Sequence, residues 1–399
     1  MREELTYKGD NAHTYAMSIA ATWVWAPAIF VASNMAYYNG LYGFLWFLIP
    51  NVLTLLIFGY FAQKFVQERG QEYFVGLTDL FVDKRQETLH SCVSALLLIA
   101  STCVQILGLH ALLQIYIPDI PLLVSACLIS AFCYAYTKIG GIKACIVSDK
   151  YKYIIMLLIG IILVWTSFQN CDVSQINIFG LNNPSFIDIS LSFGIITAIG
   201  LVGAPYVDNT FWQRVFSLEK REIFSTFVKS GIYFLLIPLC FGLVGFFASP
   251  LAEQGWIITK AFEGTFLTAC LSVAIFLALI ATIDSNLCAI HSLAYKTVGN
   301  VPSMEMLLLV SILVVSYFEP TIVQMFLIYG TVRTATSIPT ILIILNRYDK
   351  NRLFYATLYA VLVGGIGFIS MNVLGLPYGY MFTIFAFLCP LLGYKFVKE

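Results

Sequence analysis

Charged residues are scarce in this 399-residue chain. Asp, Glu, Lys and Arg make up 11% of it, whereas about 25% is typical of a soluble domain. Hydrophobic residues reach 59%, and the 22 basic residues equal the 22 acidic ones, so no basic patch for nucleic acid is indicated. The composition therefore predicts an all-α polytopic membrane protein whose main surroundings are the lipid bilayer.

Signatures of enzymes, channels and secreted proteins are also missing. Neither the metalloprotease pattern H-E-x-x-H nor the nucleophile pattern G-x-S-x-G occurs in the chain. No polar stripe recurs over several apolar segments, as the pore of a channel would require. The first thirteen residues are polar and lack the apolar segment and cleavage site of a signal peptide, so we expect no cleaved signal. These absences argue against an enzyme and against a channel.

The long apolar segments predict twelve transmembrane helices. They run near 14–38, 40–66, 89–116, 119–138, 150–168, 189–206, 226–248, 264–298, 303–317, 319–346, 353–374 and 379–396. The longest gaps between them, 67–88 and 169–188, are too short for a soluble domain. We therefore predict one transmembrane domain that covers residues 1–399.

Basic residues in the connections predict the orientation of the chain. Cytoplasmic loops of membrane proteins carry an excess of Lys and Arg. The connections after even-numbered spans are rich in these residues, and we count Lys152 and Arg214 among them. The connections after odd-numbered spans contain Lys260 alone. This asymmetry predicts that both termini are cytoplasmic.

Two prolines indicate an internal repeat. Pro27 in span 1 and Pro205 in span 6 are 178 positions apart, and the same offset maps 89–116 onto the long eighth span. The predicted units are repeat one at about 14–168, repeat two at about 189–346 and two additional spans at about 353–396. Because five spans is an odd number, the second repeat would be inverted, which is typical of secondary transporters with broken helices. The alternative is an incidental pairing, since prolines are common in membrane spans.

The breaks expected at 21–26 and 200–205 suggest a cation site. Unwinding would free backbone carbonyls where no water can satisfy them, and hard cations prefer oxygen ligands. On span 8, Ala278, Thr282 and Ser285 share one helical face. Asp284 points to another face, where a packing or proton-linked role is expected. The alternative for the hydroxyl groups is a hydrogen bond to their own helix.

Several residues near the breaks are candidates for solute binding. The sequence places Thr22, Trp23 and Trp25 at the first break and Gly203, Ala204 and Tyr206 at the second. Arg333 lies near the middle of span 10, where an arginine costs about 2.5–3.5 kcal/mol and therefore needs a partner. That partner is an internal acid, Asp284 or Asp208, or else an anionic substrate. Asp208 is expected to cap the helix that restarts after the second break.

Three short motifs resemble signatures of one transporter family. ALIATIDS, 278–285, resembles the A-x-x-S-T-x-D-S signature in the eighth core helix of the sodium:solute symporter family. GGIKACIVSD, 140–149, is similar to that family's GG-[LI]-K-A-V-x-x-T-D, and VDNTFWQR, 207–214, resembles its D-x-x-[WV]-Q-R. The stretch ATWVWAPAIFVASNMAYYNGLYGFLW further resembles the urea-transporting branch of that family.

The resemblance implies a LeuT-type fold and a cation-coupled symporter that imports a small polar solute. It assigns a sodium ion to the carbonyl groups of Ala21, Val24 and Ala278 and to the hydroxyl group of Thr282. Ala281 stands where the family has a serine ligand, so one hydroxyl group is missing.

The resemblance also bears on the coupling ion. Asp149 matches the acid of the family, and Asp149, Asp284 and Ser285 are the candidates for cation coupling. The alternative for Asp149 is a carboxylate at the membrane interface that pairs with Lys150 or Lys152. Lys152 stands where the family often has glutamine. Members of the urea branch are thought to use protons, so coupling to protons and the loss of sodium coupling are the two alternatives.

Overall fold

The structure is a computed structural model, and it describes residues 5–70, 74–171, 176, 178–248, 257–320, 322–345, 349–372 and 388. Helices make up the architecture of these residues, as the composition predicts. In chain order they are α1 (Ala12–Trp23), α2 (Ala26–Arg69), α3 (Lys84–Gln114), α4 (Leu122–Asn170), α5 (Ile195–Val207), α6 (Asn209–Ser217), α7 (Ile223–Phe247), α8 (Phe266–Thr297), α9 (Ser303–Phe318), α10 (Ile322–Ile344) and α11 (Lys350–Asn372).

Shorter segments complete the path of the chain. A 3-10 turn spans Leu77–Leu80, and Ile257–Ala261 forms a single helical turn before α8. Phe186–Ile189 and a π-helical stretch, Ser190–Gly194, lead directly into α5. The last predicted span, 379–396, lies outside the described residues except for position 388.

Within the described residues, five helices are long and apolar enough to cross a membrane; they are α2, α3, α4, α7 and α8. Two of them join predicted neighbouring spans across a kink. The backbone turns at Gly40 in α2 (φ 62°) and at Gly141 in α4 (φ 54°), and a positive φ is a conformation that glycine adopts without a steric penalty. That the chain has twelve spans and that both termini are cytoplasmic remain predictions.

The first predicted break is confirmed, and it is shorter than expected. α1 ends at Trp23, and Val24 (φ −81°, ψ 71°) and Trp25 (φ −72°, ψ 152°) leave the helical conformation before α2 begins at Ala26. Pro27 therefore occupies the first turn of α2, where its missing N–H group costs no helical hydrogen bond.

The second predicted break, at 200–205, is wrong in position. α5 continues through Pro205 to Val207, and the break falls at Asp208 (φ −92°, ψ 112°). Prolines also lie inside α2, α7 and α10 without ending these helices. Neighbouring helices can satisfy the backbone group that a proline frees inside a membrane bundle. The Asp208 carboxylate accepts from the backbone N–H group of Thr210 at 2.9 Å, which confirms its expected role as the cap of α6.

Aromatic packing and the hydrogen bonds of the Asn209 side-chain amide hold the second break in place. The Trp212 indole N–H group donates to the Tyr206 carbonyl group across the break at 2.9 Å. Phe58 of α2 packs edge-on against both rings. The Asn209 side chain accepts from Leu77 N–H at 2.7 Å and donates to the Ala289 carbonyl group at 2.8 Å. The break therefore stands against α2 on one side and α8 on the other.

Both interrupted regions lie beside α8, as the sequence predicts. α1 and α6 each contact α8, and α5 packs on α10. Gly203 allows the close approach of α5 to α10, because a Cβ atom at this position would lie 2.7 Å from the Ser337 Cβ atom.

Candidate functional site

A small cavity lies where the two helix breaks meet α3, α8 and α10. Its volume is about 30 Å³, and a cavity needs roughly 10–15 Å³ to hold one water molecule. Its lining residues are Thr22, Trp23, Trp25, Ser101, Leu201, Asp208, Phe211, Thr282, Asn286 and Arg333. The cavity thus has room for one or two small polar groups.

The wall of the cavity offers both hydrogen-bond donors and acceptors. The Asn286 amide donates to the Ser101 hydroxyl group at 3.1 Å, which fixes the amide against α3. Asp208 is 9% exposed and Arg333 is 3% exposed, and both side chains border the same space. A cavity wall that contains both an acidic and a basic side chain favours a solute that is polar but has no net charge.

Trp23 contributes an indole N–H group to this wall. The side chain is 7% exposed, and it packs edge-on against Phe211 with ring centroids 5.3 Å apart. Among the described residues, its Nε1 atom has no hydrogen-bond partner. Because an indole N–H group is a donor only, an acceptor atom of a solute would satisfy it.

A buried charge cluster adjoins the cavity; it consists of Asp149, Lys152, Arg214 and Asp284. The Lys152 Nζ atom lies 3.1 Å from Asp149 Oδ1 and 2.5 Å from Asp284 Oδ2. Arg214 Nη2 lies 3.2 Å from Asp149 Oδ2. Two carboxylates thus meet two cationic groups, and all four side chains are at most 6% exposed.

Hydroxyl groups and a backbone carbonyl group, that of Thr210, make further hydrogen bonds with the charge cluster. The Ser18 hydroxyl group donates to Asp149 Oδ2 at 2.7 Å and accepts from Arg214 Nε at 3.1 Å. The Tyr136 hydroxyl group donates to Asp284 Oδ2. Buried charges that are paired and fully hydrogen-bonded avoid most of the cost of isolated ones. The cluster thereby connects α1, α4, α6 and α8.

Thr22 and Ser285 join the charge cluster to the cavity. Arg214 Nη2 donates to the Thr22 hydroxyl group at 2.9 Å and to the Ser285 hydroxyl group at 2.8 Å. The two hydroxyl oxygens lie 3.1 Å apart, and Thr22 also lines the cavity. A change in the position of α1 would therefore affect both sites.

The residues expected to bind sodium lie close to the same break. Ala21, Val24 and Ala278 are fully buried, and Thr282 is 5% exposed in the cavity wall. The Thr282 hydroxyl group donates to the Ala278 carbonyl group at 3.2 Å. This is a hydrogen bond within its own helix, the alternative expected from the sequence for the hydroxyl groups of α8. Ala281 is buried beside them, and its carbonyl group accepts from the Ser285 hydroxyl group at 2.8 Å.

The candidate solute-binding residues separate into two groups. Thr22, Trp23, Trp25 and Arg333 come together in the cavity wall. The other candidates lie in helix packing outside the lining residues; they are Gly203 against Ser337, Ala204 at 1% exposure, and Tyr206 against Phe58 and Phe61. Near the second break, the residues that line the cavity are instead Leu201, Asp208 and Phe211.

Two basic residues were assigned to the wrong environment by sequence. Lys152 and Arg214 were counted with the cytoplasmic connections, but both side chains are buried in the charge cluster. The reason is that each lies close to the end of a predicted span, where hydropathy does not distinguish a loop from a buried position. Arg214 ends the VDNTFWQR motif, so the motif contained the signal that could have identified it.

Only one of the two acids expected to pair with Arg333, Asp284 and Asp208, lies in the cavity wall with it. Asp284 pairs with Lys152, whereas Asp208 shares the cavity wall with Arg333. Ser101 and Asn286 line the cavity as well, and the sequence had not singled out either residue. An isolated serine or asparagine in an apolar span carries no positional signal without its partner on another helix.

Curated proteins that resemble this chain are distant relatives, and two of them are described here. No family model matches the chain. The urea-proton symporter DUR3 of Oryza sativa subsp. japonica is 21% identical over 56% of this chain and 36% of its own length. The urea active transporter of Saccharomyces cerevisiae is 19% identical over 59% of this chain and 35% of its own length. The matched region spans about a third of these relatives. The resemblance to a urea-transporting branch is confirmed at this distance.

Solved structures share the fold over almost the whole chain. A Na⁺-coupled sialic acid symporter in a substrate-bound outward-open state has a TM-score of 0.66 at 17% identity, covering 97% of this chain and 89% of its own. Mhp1, a nucleobase-cation-symport-1 family transporter in a closed conformation with bromovinylhydantoin bound, has a TM-score of 0.64 at 13% identity, covering 97% and 92%. These similarities confirm the predicted LeuT-type fold of an integral membrane protein.

The solved structures that share this fold transport different solutes. A manganese transporter of Eremococcus coleocola also shares the fold, with a TM-score of 0.58 at 13% identity over 96% of this chain and 86% of its own. Sialic acid, a hydantoin and manganese differ in charge and size, so the fold alone does not select a solute. The proteins named here are transporters, which agrees with the expectation that this chain is not an enzyme.

Proposed function

We propose that this protein is a cation-coupled secondary transporter that imports a small polar solute by alternating access. The observation that carries the proposal is the polar cavity between the two helix breaks and α8. Secondary transporters of this architecture bind their solutes where discontinuous helices expose backbone and polar groups. The names of the two curated relatives, both urea transporters, support a small neutral solute.

The chemistry of the cavity supports a solute with both donors and acceptors. Arg333 and the Trp23 indole N–H group are donors, Asp208 is an acceptor, and the Asn286 amide can do both. A planar amide or urea-like molecule presents a carbonyl group and N–H groups within the few ångströms that such a cavity spans. A site built from such groups rejects analogues that leave its buried polar atoms unpaired.

Sodium is the proposed coupling ion at Ala21, Val24, Ala278 and Thr282. The last carbonyl groups of a helix have no partner within it, and Trp23, the last residue of α1, lines the same cavity as Thr282 of α8. Carbonyl and hydroxyl oxygens are suitable ligands for a hard cation. With Ala281 in place of a hydroxyl ligand, we expect weak sodium affinity.

Coupling to protons is the second candidate. Asp149 and Asp284 are buried carboxylates, and one of the relatives is named a urea-proton symporter. A cage of carbonyl and hydroxyl groups cannot take up a proton at ordinary pH, whereas a carboxylate can.

Uptake into proteoliposomes tests both candidates. Purified protein is reconstituted, and the uptake of labelled urea, formamide and acetamide is measured with a sodium gradient or a proton gradient imposed separately. Sodium-driven uptake supports the first candidate, and uptake driven by the proton gradient without sodium supports the second. The absence of uptake of every solute under both gradients contradicts the transport proposal.

A further inference from the structure

The surroundings of the Lys152 ammonium group resemble a cation site made of oxygen atoms. Three oxygens surround Nζ: Asp149 Oδ1 at 3.1 Å, Asp284 Oδ2 at 2.5 Å and the Tyr136 hydroxyl oxygen at 3.4 Å. A protonated lysine has three N–H donors, so each donor meets one oxygen. Asp149 and Lys152 come from α4, and Asp284 comes from α8.

The charges of this cluster balance without an inorganic ion. Asp149 and Asp284 contribute two negative charges, and Lys152 and Arg214 contribute two positive charges. Arg214 contacts Asp149, Thr22 and Ser285, so Lys152 is the group that contacts both carboxylates. Removal of the Lys152 charge would leave one uncompensated carboxylate at a fully buried position.

Stability alone is a weak reason for such an arrangement. Well-packed apolar residues in place of buried ion pairs are often neutral or stabilising. Ionisable residues inside a membrane protein usually have a functional role instead. The charge cluster connects four helices beside the proposed solute cavity, which is where a transporter needs a charge that responds to helix movement.

We propose that Asp149, Asp284 and the Tyr136 hydroxyl group form a binding site for a monovalent cation, and that the Lys152 ammonium group occupies this site as a permanently attached cation. An inorganic ion is then not needed at this position for the helices to pack. The role of this site in coupling rests on the proposed transport function, but the binding of an ion after removal of Lys152 does not.

The proposal predicts that Lys152→Gln exposes the site to sodium. The variant keeps a polar side chain of similar length and loses one positive charge. Sodium or lithium should then bind between the two carboxylates and stabilise the folded state by RT ln(1 + c/Kd), where c is the concentration of the ion. The temperature of unfolding, Tm, should rise by roughly a few degrees, in line with the logarithm of the sodium concentration once that concentration exceeds Kd.

The test is carried out on the full chain, purified in detergent, in a Thr282→Ala background that removes the other proposed sodium site. Tm is measured in sodium, lithium and choline chloride at equal ionic strength. Thr282→Ala alone should show no sodium effect, and the addition of Lys152→Gln should create one. A further Asp284→Asn substitution should abolish this effect, since it removes the excess negative charge.

A sodium effect of equal size with and without Lys152 would overturn the proposal. Failure to recover the Lys152→Gln chain in any of the three salts would overturn it as well, because sodium should replace the missing positive charge. The measurement needs no solute, so an absence of uptake in proteoliposomes contradicts only the proposed transport function and leaves this result intact.

Discussion

At the scale of single residues, Thr22 is the point where the cavity and the charge cluster meet. Its hydroxyl group accepts from Arg214 Nη2 at 2.9 Å, and its side chain lines the cavity. Neighbouring residues of α1 divide between the two sites, since Ser18 contacts the cluster and Trp23 faces the cavity. A solute that moves α1 would therefore act on the cluster without touching it.

The indole N–H group of Trp23 provides a prediction about solute binding. Trp23→Phe keeps an aromatic side chain against Phe211 but removes the only polar atom of the side chain. A neutral hydrogen bond contributes about 0.5–1.5 kcal/mol, so KM for the solute should rise roughly two- to tenfold. Proteoliposome uptake at varied solute concentration measures this change. Trp165→Phe, at a tryptophan that is 61% exposed, is the matched control and should leave KM unchanged. An unchanged KM in Trp23→Phe would contradict a role of the indole N–H group.

The cage around Thr282 provides a second prediction at this scale. Thr282→Ala should raise the sodium concentration needed for half-maximal uptake, because it removes the only side-chain ligand of the proposed cage. Ala281→Ser should lower that concentration, because it adds the hydroxyl group that the related family has at this position. Uptake at fixed solute and varied sodium, with choline as the replacement ion, gives both values.

The proton alternative makes the opposite prediction for the same variants. Uptake driven by pH without sodium should survive Thr282→Ala, and it should fail in Asp149→Asn, which removes a buried carboxylate of the charge cluster. That combination of results would exclude the sodium cage and support coupling to protons.

At the scale of helices, the contact of α5 with α10 provides a prediction about packing. A Cβ atom at Gly203 would lie 2.7 Å from the Ser337 Cβ atom, so Gly203→Ala forces the two helices apart. Overpacking of this kind costs about 1–3 kcal/mol, and Tm should fall. Gly365→Ala in α11 is the control, because a Cβ atom there has no neighbour within 4 Å. In the control, Tm should stay the same or rise slightly, since alanine favours helices over glycine. Equal Tm values in the two variants would contradict the close contact.

Hydropathy predicted most helices of this fold well. The eighth span, expected at 264–298, agrees with α8 at Phe266–Thr297, because apolar length is a local property of the sequence. The second break was misplaced because a proline alone does not decide where a helix ends inside a bundle.

Most of the charge cluster could not be predicted, because only the Asp149–Lys152 pair is close in sequence, at three positions, and the other pairs are far apart. Lys152 and Asp284 are separated by 132 positions, and Arg214 and Asp149 by 65. Only the packing of α4, α6 and α8 brings these residues together. The motifs marked Asp149 and Asp284 as candidates, and the expected pairing of Asp149 with Lys150 or Lys152 is confirmed for Lys152. The sequence did not indicate that Arg214 meets Asp149 or that Lys152 meets Asp284.

At the scale of the whole molecule, the two sites form an ordered path along α1. The charge cluster contacts the helix at Ser18, and the cavity lies further along the helix, at Thr22 and Trp23. If the N-terminus is cytoplasmic, as the basic residues predict, the cluster lies between the cavity and the cytoplasm. The ion pairs would then close the cytoplasmic side of the cavity, and their separation would open it.

This arrangement predicts that Asp149→Asn opens the cavity towards the cytoplasm. The substitution removes a negatively charged partner from both Lys152 and Arg214, and breaking a buried ion pair costs about 3–5 kcal/mol. This cost destabilises only the conformation in which the ion pairs are formed. The equilibrium should therefore shift strongly towards the conformation in which the ion pairs are separated.

Cysteine accessibility measures this shift. Ser101→Cys places a thiol group in the cavity wall, and a membrane-impermeant thiol reagent is applied to inside-out and right-side-out vesicles. Asp149→Asn should speed up labelling of this thiol in inside-out vesicles and slow it down in right-side-out ones. The same chain without Ser101→Cys corrects for native cysteines, and Asp149→Glu, which keeps the charge, should have a smaller effect. Faster labelling from the opposite side would reverse the predicted orientation, and unchanged labelling from both sides would show that the charge cluster does not close the cavity.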